Sequence, residues 1–326
     1  MVAEQERTRG VTGGQDVSVT YLEYDGVKKP VYDFRNLDHQ EVVARKIANG
    51  AQVAMFFGVW AGFKAVDADV EEEPFFYVAK PGRPKEAKIV VITHPETSHK
   101  LVDWSEVHPD FRFLEDLESF ESLWDNHGAA LHVIVPIKEG IDFPKLFVTS
   151  PQEYATRYPN HAPIAAPTVS VFWRKDKYLE HLLSRVGETS ERPIFIGGTS
   201  LNRHGEDPPF TYGEFIKHLN DHKVDPGAID LVVRDSIDEG SGAHGSHTQI
   251  RVPLVGEKEP ILRVYRIGTL SPEGFERATG IETRVMPDAK DVRRFPGVNI
   301  DQRIKATHER IHAQWQQMSG SITSSM

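Results

Sequence analysis

The sequence predicts a mixed α/β fold, with one twisted β-sheet flanked by helices. Two patterns predict this class. Short apolar runs typical of buried strands recur along the chain, and amphipathic helical patterns lie among them with no clean break in composition. The length of 326 residues also suits one large α/β domain. We expect a domain over residues 19–285, a disordered N-terminus over 1–18, and a helical extension with a disordered tail over 286–326.

Strands and helices alternate through the first half of the chain. The segment "VSVTYLEYDG" alternates apolar and polar residues and ends in an Asp-Gly turn, which predicts a strand. The segment "HQEVVARKIANG" places four apolar residues on one helical face and ends at Gly50. The apolar runs "AQVAMFFGVW", "AKIVVITHPE" and "ALHVIVPI" predict three buried strands. The segment "LEDLESFESLWDNHG" predicts an amphipathic helix.

In the second half, residues 138–168 contain proline and mixed charge with little periodicity, which indicates an insertion. Five strand candidates follow: "TVSVFWR", "PIFIGG", "IDLVVRD", "TQIRVPL" and "ILRVYRIG". The segments "KYLEHLLSRVG" and "TYGEFIKHLNDH" predict helices between them. Near the C-terminus, an apolar stripe from Ile300 to Trp315 predicts a helix that ends before "SGSITSSM".

Composition restricts the classes of function. The chain has no cysteine, which excludes disulfides and thiolate chemistry and fits a reducing compartment. It has no apolar run of membrane-spanning length and no secretory signal pattern, so we expect a cytoplasmic monomer or homodimer with no membrane contact. The formal net charge of −10 disfavours nonspecific RNA or DNA binding but leaves room for a local basic pocket that binds a small polyanion.

A basic loop, "KPGRPKEAK", runs from Lys80 to Lys88 just before a predicted strand. Four of its nine residues are basic, and prolines flank Arg83 on both sides. Guanidinium and ammonium groups fixed at a strand end are suited to binding a phosphate. A solvated loop that carries lysines for solubility is the alternative.

The segment "IGGTSLNRHGEDPPFT" is a predicted strand that stops at Gly197-Gly198 and gives way to polar residues. Thr199, Ser200 and Asn202 supply hydroxyl and amide groups, and the glycines allow close approach of a ligand to the backbone. The segment is not a P-loop, because no Gly-Lys-Ser/Thr follows. A turn capped by its own side chains is the alternative interpretation.

Two further segments carry polar residues. The Gly-rich segment "DEGSGAHGSHTQIR" presents Ser246 and Thr248 just before a strand. Its histidines have no spacing that imposes a common face, so we predict no metal site. In "ILRVYRIGTL", Arg263 and Arg266 straddle a strand end, where each is suited to a phosphate clamp or to a surface ion pair.

The order of these segments resembles the YrdC-like family, which includes the threonylcarbamoyl-adenylate synthases of tRNA modification. The resemblance covers roughly residues 51–270 and is closest from "TSLNRHG" to "VYRIG". It implies a YrdC-type sheet around a concave basic cavity and a nucleotidyltransferase that uses ATP, with Mg²⁺ bound through the nucleotide. The cofactor-binding residues that it implies are Lys80, Arg83, Lys88, Thr199, Ser200, Asn202, Ser246, Thr248 and Arg266.

The chain departs from the family pattern around the acceptor. The segment "FFGVWAG" replaces a Pro-Thr-Glu-Thr-like run. His132 stands where the family has a threonine, and Phe172 stands where it has an arginine, with Arg174 two residues further on the same face of the strand. The resemblance therefore implies an acceptor more apolar than threonine. The residues expected to line its pocket are Phe57, Trp60, His132, Phe172 and Arg174.

Three hypotheses follow. The first is ATP-dependent formation of a carbamoyl- or acyl-adenylate on an altered acceptor. The second is a non-catalytic paralogue that binds nucleotide or double-stranded RNA. The third is an α/β protein whose polar segment is only a turn. The third requires that six basic residues do not converge on one cavity with Ser200: Lys80, Arg83, Lys88, Arg234, Arg263 and Arg266.

Overall fold

A computed structural model describes residues 5–8, 17–24, 26–125, 130–159, 163–190, 194–235, 237, 246–292 and 300–323. Within these residues, fourteen strands belong to one mixed sheet. The strands are β1 (Gln5–Thr8), β2 (Val17–Tyr24), β3 (Val27–Asp33), β4 (Val53–Phe56), β5 (Trp60–Asp67), β6 (Val90–Ile92), β7 (Leu131–Pro136), β8 (Val148–Thr149), β9 (Thr168–Trp173), β10 (Ile194–Ser200), β11 (Leu231–Arg234), β12 (Thr248–Arg251), β13 (Leu262–Ile267) and β14 (Thr283–Asp291).

Helices connect many of these strands. The α-helices of the described residues are α1 (Leu37–Ala48), α2 (Phe75–Val78), α3 (Pro95–Leu101), α4 (Leu117–Asp125), α5 (Pro151–Arg157), α6 (Lys177–Thr189), α7 (Tyr212–Asn220), α8 (Pro272–Thr279) and α9 (Ile300–Thr323). Short 3₁₀ segments cover Trp104–Glu106, Pro109–Glu115, Lys145–Phe147 and Pro226–Ala228. No helix of the described residues is long and apolar enough to cross a membrane.

The strand order in the sheet is β1-β2-β3-β11-β4-β5-β10-β6-β9-β7-β12-β13-β14, and β8 pairs with β9. Parallel and antiparallel neighbours alternate irregularly: β11 is parallel to both β3 and β4, whereas β10 is antiparallel to both β5 and β6. This arrangement confirms the predicted mixed α/β class. It also places β10, which carries the polar segment, in the middle of the sheet.

Amphipathic helices cover the sheet and close the core. Helix α1 buries Val43, Ala44 and Ile47, and α6 buries Leu179 and Leu182, among others. Both helices carry these apolar residues at the spacing that predicts one buried face. Most buried residues form one continuous core. A smaller cluster of Tyr154, Ile164, Leu254 and Tyr265 lies beside it.

Two strand predictions require correction. The segment 51–60 is not one strand but a hairpin, because β4 ends at Phe56 and β5 begins at Trp60. Gly58, with a φ of 71°, makes the tight turn between them. The strand that was expected to stop at Gly197-Gly198 continues to Ser200 as β10. The polar side chains of Thr199 and Ser200 therefore belong to a strand end and not to a loop.

The predicted termini also differ from the structure. Residues Gln5–Thr8, which were expected to be disordered, form β1 and pair with β2. Strand β14 crosses the boundary expected at residue 285, and α9 continues past Trp315 to Thr323. The segment 138–168 contains α5 and β8, and β8 pairs with β9. Its origin as an insertion stays a prediction.

Candidate functional site

The basic loop follows α2 and lies against the polar residues after β10. Residues 80–83 form a tight turn in which the Arg83 N–H donates to the Lys80 carbonyl oxygen at 3.1 Å. Pro81 and Gly82 occupy its centre, and Gly82 has the positive φ of 79° that a type II turn requires. The His204 N–H donates to the Pro81 carbonyl oxygen at 2.8 Å, which joins the turn to the segment after β10.

Lys80 and Arg83 bind neutral acceptors at the end of β10. The Lys80 Nζ donates to Ser200 Oγ at 2.6 Å and to Asn202 Oδ1 at 3.1 Å. The Arg83 guanidinium donates to Thr199 Oγ1 at 2.9 Å, to the Ala87 carbonyl oxygen at 3.1 Å and to the Lys88 carbonyl oxygen. These contacts fix both cations, and their acceptors among the described residues are uncharged.

Arg266 reaches the same place from another part of the sheet. Arg266 in β13 lies opposite Gln249 in β12, Gln249 lies opposite His132 in β7, and His132 lies opposite Phe172 in β9. Directly paired residues of neighbouring strands point to one face of a sheet, so this row places Arg266 on the face of His132 and Phe172. The Arg266 Nε donates to the His247 carbonyl oxygen at 2.8 Å.

The three cations are half-buried and raise one another's electrostatic energy. Burial, then Arg83 and then Arg266 lower the pKa of Lys80 to about 7. Burial lowers the pKa of Arg83 and of Arg266 to about 10. Within the described part of the chain, no carboxylate forms an ion pair with any of the three. Such a cluster is suited to binding an anion.

A pair of histidines adjoins Arg266. The His247 Nε2 lies 2.6 Å from the Phe57 carbonyl oxygen, so this nitrogen carries a hydrogen. The His132 Nε2 and the His247 Nδ1 lie 3.3 Å apart, which fits a hydrogen bond donated by His132 to His247. His132 Nδ1 is consequently unprotonated, and it is buried without a hydrogen-bond partner in the described residues. Burial, Arg266 and His247 hold the pKa of His132 well below its usual value.

Asn202 and the glycines of β10 have different contacts from those expected. Asn202 is buried, and its amide donates to the carbonyl oxygens of Arg203 and Glu206 at 3.0 and 2.6 Å. With Oδ1 bound to Lys80, it positions the cation and shapes the turn. A Cβ on Gly197 would lie 2.4 Å from the Phe76 ring, and one on Gly198 would lie 3.0 Å from Ile92. The two glycines make room for core side chains and not for a ligand.

Lys88 and Thr248 also have structural contacts in place of the predicted ligand contacts. The Lys88 Nζ pairs with Glu153 Oε1 at 2.8 Å. Thr248 Oγ1 accepts from the Gly268 N–H at 3.0 Å and donates to the Leu270 carbonyl oxygen. Lys88 thus binds α5, and Thr248 joins β12 to the end of β13; ligand binding by either residue stays a prediction.

Ser246 and Gly268 complete the junction behind Arg266. The Ser246 carbonyl oxygen accepts from the Thr269 N–H at 2.8 Å. A Cβ on Gly268 would lie 2.1 Å from that same carbonyl oxygen, so only glycine fits there. The Arg-x-Gly pattern therefore reflects backbone packing that orients Arg266.

The residues predicted to line an acceptor pocket are packed into the core. Trp60 has no exposed surface and stacks on Phe215 with 4.3 Å between ring centroids. Arg174 is also buried, and its guanidinium donates to Asp176 at 2.7 Å. Both side chains are buried in this conformation, and their contact with a substrate stays a prediction. Phe57, Phe172 and His132 are buried as well and form one aromatic cluster with His247.

Three of the six basic candidates converge near Ser200. Arg234 instead lies over the Tyr212 ring at 4.1 Å, and Arg263 pairs with Glu257. The sequence did not indicate two further cations near the site. Arg157 adds to the effect of burial in lowering the pKa of Arg83 and Arg266. Lys290 lies in β14 opposite Arg266 of β13. Their recognition depends on long-range packing, so no local pattern indicates them.

Comparisons with known proteins bear on the fold. No family model and no curated sequence matches the chain. A double variant of Sua5 from P. abyssi superposes with a TM-score of 0.52 at 19% identity, covering 79% of this chain and 62% of Sua5. Sua5 complexed with L-threonine gives 0.52 at 18% identity with the same coverage. The chain has a Sua5-like fold. This confirms the predicted YrdC-like architecture in a chain that spans less than two thirds of Sua5.

Proposed function

We propose that the protein binds ATP and transfers its adenylyl group to a carbamate or carboxylate acceptor, with release of pyrophosphate. One observation carries the proposal: Lys80, Arg83 and Arg266 lie together, half-buried, with no carboxylate partner in the described residues. Removing cations from water is unfavourable unless a counter-charge is bound. A polyphosphate supplies that charge, which supports a nucleotide as the ligand.

The proposed chemistry needs little more than positioning and charge. An oxygen of the acceptor carboxylate attacks the α-phosphorus, the bond to the bridging oxygen of the β-phosphate breaks, and pyrophosphate leaves. Lys80, Arg83 and Arg266 would neutralise the charge that develops on the leaving group. The described residues contain no group of three or more His, Asp or Glu suited to a metal. Mg²⁺ is accordingly proposed to bind through the nucleotide phosphates, as it does in many such sites.

The acceptor is proposed to be a small acid with an apolar body. Sua5 of P. abyssi was crystallised with L-threonine. In this chain, Phe172 and neutral His132 lie on the Arg266 face of the sheet, where aromatic side chains favour an apolar group. The aromatic cluster is closed, so the proposal requires it to open when an acceptor binds.

The test measures ATP binding by calorimetry, then pyrophosphate release with bicarbonate and a panel of amino acids. Lys80→Met is expected to weaken ATP binding by roughly tenfold or more, because a charge-assisted hydrogen bond contributes about 1.5–3 kcal/mol. Lys85→Met is the matched control, since Lys85 lies in the same loop with 76% of its side chain exposed. No binding of ATP at millimolar concentration would contradict the proposal.

Binding without catalysis is the second candidate. It is favoured by the closed aromatic cluster, in which Phe57 and Phe172 are 3% exposed or less. In that case ATP binds without pyrophosphate release under any acceptor condition. Double-stranded RNA as the ligand would give an affinity that falls steeply with salt. The net charge of −10 disfavours RNA relative to a nucleotide.

A further inference from the structure

Helix α5 is held between the basic loop and β13. On one side, Glu153 of α5 pairs with Lys88 of the loop. On the other, the Tyr154 and Tyr265 hydroxyls are hydrogen-bonded, and the Tyr158 ring meets the Tyr265 ring edge-on at 5.1 Å. The helix therefore links the element that carries Arg83 to the strand that carries Arg266.

Arg157 is the last residue of this helix, and its charge acts on Arg83 and on Arg266. Its side chain is exposed, and its guanidinium lies over the Tyr158 ring at 5.4 Å. Its charge lowers the pKa of Arg83 and of Arg266, and it also acts on His204. None of the described carboxylates pairs with Arg157. The guanidinium is thus an accessible, uncompensated cation beside the half-buried ones.

Lys290 adds a second exposed cation. It lies in β14 directly opposite Arg266, and its charge, like that of Arg157, acts on His204. The carboxylate of Asp288 is also near, because burial and then, among other charges, Asp288 raise the pKa of Tyr158. Positive charge consequently continues from the half-buried cations outward along β14 and the end of α5.

We propose that Arg157 and Lys290 form an outer anion subsite, which binds the terminal phosphate of a polyphosphate whose other phosphates bind Lys80, Arg83 and Arg266. The inference rests on the proposed function only in taking a nucleotide as the natural ligand. The outer cations bind any ligand that carries enough phosphates. The segment 138–168 thereby contributes one residue, Arg157 of α5, to the binding site. A nucleoside triphosphate reaches both sets of cations, and a monophosphate reaches only the inner set.

A purely structural role for Arg157 makes a different prediction. A cation in the last turn of a helix interacts favourably with the helix dipole, and a guanidinium over a tyrosine ring adds a cation–π contact. In that case, substitution lowers stability and leaves ligand discrimination unchanged. Ligand discrimination is therefore the deciding measurement.

The experiment compares dissociation constants of AMP, ADP, ATP and inorganic tripolyphosphate by calorimetry at one ionic strength. Arg157→Gln is expected to weaken ATP and tripolyphosphate roughly five- to tenfold, and AMP less than about twofold. Lys290→Gln is expected to act in the same direction, and Arg157→Lys is expected to restore most of the affinity. Lys85→Gln removes an exposed positive charge from the basic loop, so it controls for the effect of net charge on the binding of anions.

Each outcome supports or overturns the subsite. Equal losses for AMP and ATP in Arg157→Gln, or no loss for ATP, would overturn it while the proposed function stands. Binding of tripolyphosphate but of no nucleotide would contradict the proposed function and leave the subsite supported, provided that Arg157→Gln weakens tripolyphosphate. No binding of any of the four ligands to the unsubstituted protein would overturn both.

Discussion

Two groups of buried cations in this protein differ in what surrounds them. In the first, the paired cluster, Arg35 donates to both carboxylate oxygens of Asp176 at 2.8 Å and to Asp235 at 3.0 Å, and Arg174 donates to Asp176 at 2.7 Å. Two cations and two anions balance. In the second, the cation site, Lys80, Arg83 and Arg266 donate, among the described residues, to hydroxyl, amide and carbonyl oxygens and to no carboxylate.

The difference separates a structural role from a ligand-binding one. The paired cluster has its counter-charges within the fold, so it links the ends of β3, β9 and β11 without any ligand. The cation site has neutral partners that fix geometry but supply no charge. The two groups therefore differ in charge balance: the paired cluster contains carboxylates that compensate its cations, and the cation site is stabilised by a bound anion.

The largest effect is expected in the paired cluster. Arg35→Met leaves the buried carboxylates of Asp176 and Asp235 with Arg174 as their remaining cation, so one negative charge is uncompensated and we expect a loss of about 3–5 kcal/mol in the free energy of unfolding. Urea unfolding followed by circular dichroism measures it. Arg112→Met, at an exposed position, is the control. A loss below about 1 kcal/mol in Arg35→Met would show that the ion pairs of Arg35 do not stabilise the fold.

The next effect is the pH dependence of ATP binding to the cation site. Burial, Arg83 and Arg266 lower the pKa of Lys80 to about 7, and a phosphate favours its protonated form. Affinity should therefore fall as pH rises through 7, by roughly tenfold between about pH 6.5 and 8.5, with proton uptake on binding. Calorimetry in buffers of different ionisation enthalpy measures the uptake. A Lys80→Met variant with the same pH profile would contradict this account.

The same pKa fixes the sign of a stability effect. Because the folded protein binds the Lys80 proton more weakly than the unfolded chain does, the free energy of unfolding should rise with pH from about 7 towards about 10.4, where the unfolded lysine titrates. Asp176 gives the same sign of pH dependence in a lower pH range, but there the charged form is the one that the fold stabilises. Burial would raise its pKa, but Arg35 and Arg174 outweigh burial and lower the pKa to about 2. Its contribution is thus present above about pH 4 and is lost as pH falls towards 2.

Much of this contrast is absent from the sequence, although most of the fold is present in it. Apolar periodicity predicts β2, α1, α6 and β7, because burial of one face imposes a spacing on the chain. The loop with Lys80 and Arg83 stands out by its charge and its Pro-Gly turn. Charge balance cannot be predicted in this way, because whether a cation contacts a carboxylate depends on residues far apart in sequence. Lys88 and Arg83 share one loop, yet within the described part of the chain Lys88 has a carboxylate partner, Glu153, and Arg83 has none.

Side-chain direction sets the second limit. Phe57 and Trp60 were both expected to line the acceptor pocket, but the turn at Gly58 places them in different surroundings. Phe57 joins the aromatic cluster beside Arg266, and Trp60 stacks on α7. A turn of unknown type leaves the faces of the flanking residues undetermined. Arg157, at the end of α5, and Lys290, on an unexpected strand, were not recognised because their approach to the site depends on long-range packing.

A smaller effect of opposite sign is expected for Lys80→Met, the counterpart of Arg35→Met. The substitution removes a half-buried charge without a counter-charge, and it also removes the hydrogen bonds to Ser200 and Asn202. We expect the free energy of unfolding at pH 6 to rise by about 1 kcal/mol, because the relief of desolvation exceeds the lost hydrogen bonds. Thermal and urea unfolding measure it. A loss above about 1 kcal/mol would place Lys80 in the structural class with Arg35.

The smallest effect concerns the histidine pair, the neutral edge of the cation site. The hydrogen bonds from His247 to Phe57 and from His132 to His247 leave His132 Nδ1 unprotonated and without a partner in the described residues. Nitrogen NMR of the imidazoles should show one fixed tautomer for each ring and no titration of His132 between about pH 5 and 8, since burial and Arg266 disfavour its charge. His132→Phe should change ATP affinity less than about twofold, because His132 contributes no charge to the phosphates. A His132 ring that titrates near its usual pKa would mean that the site already holds an anion, and the contrast with the paired cluster would fail.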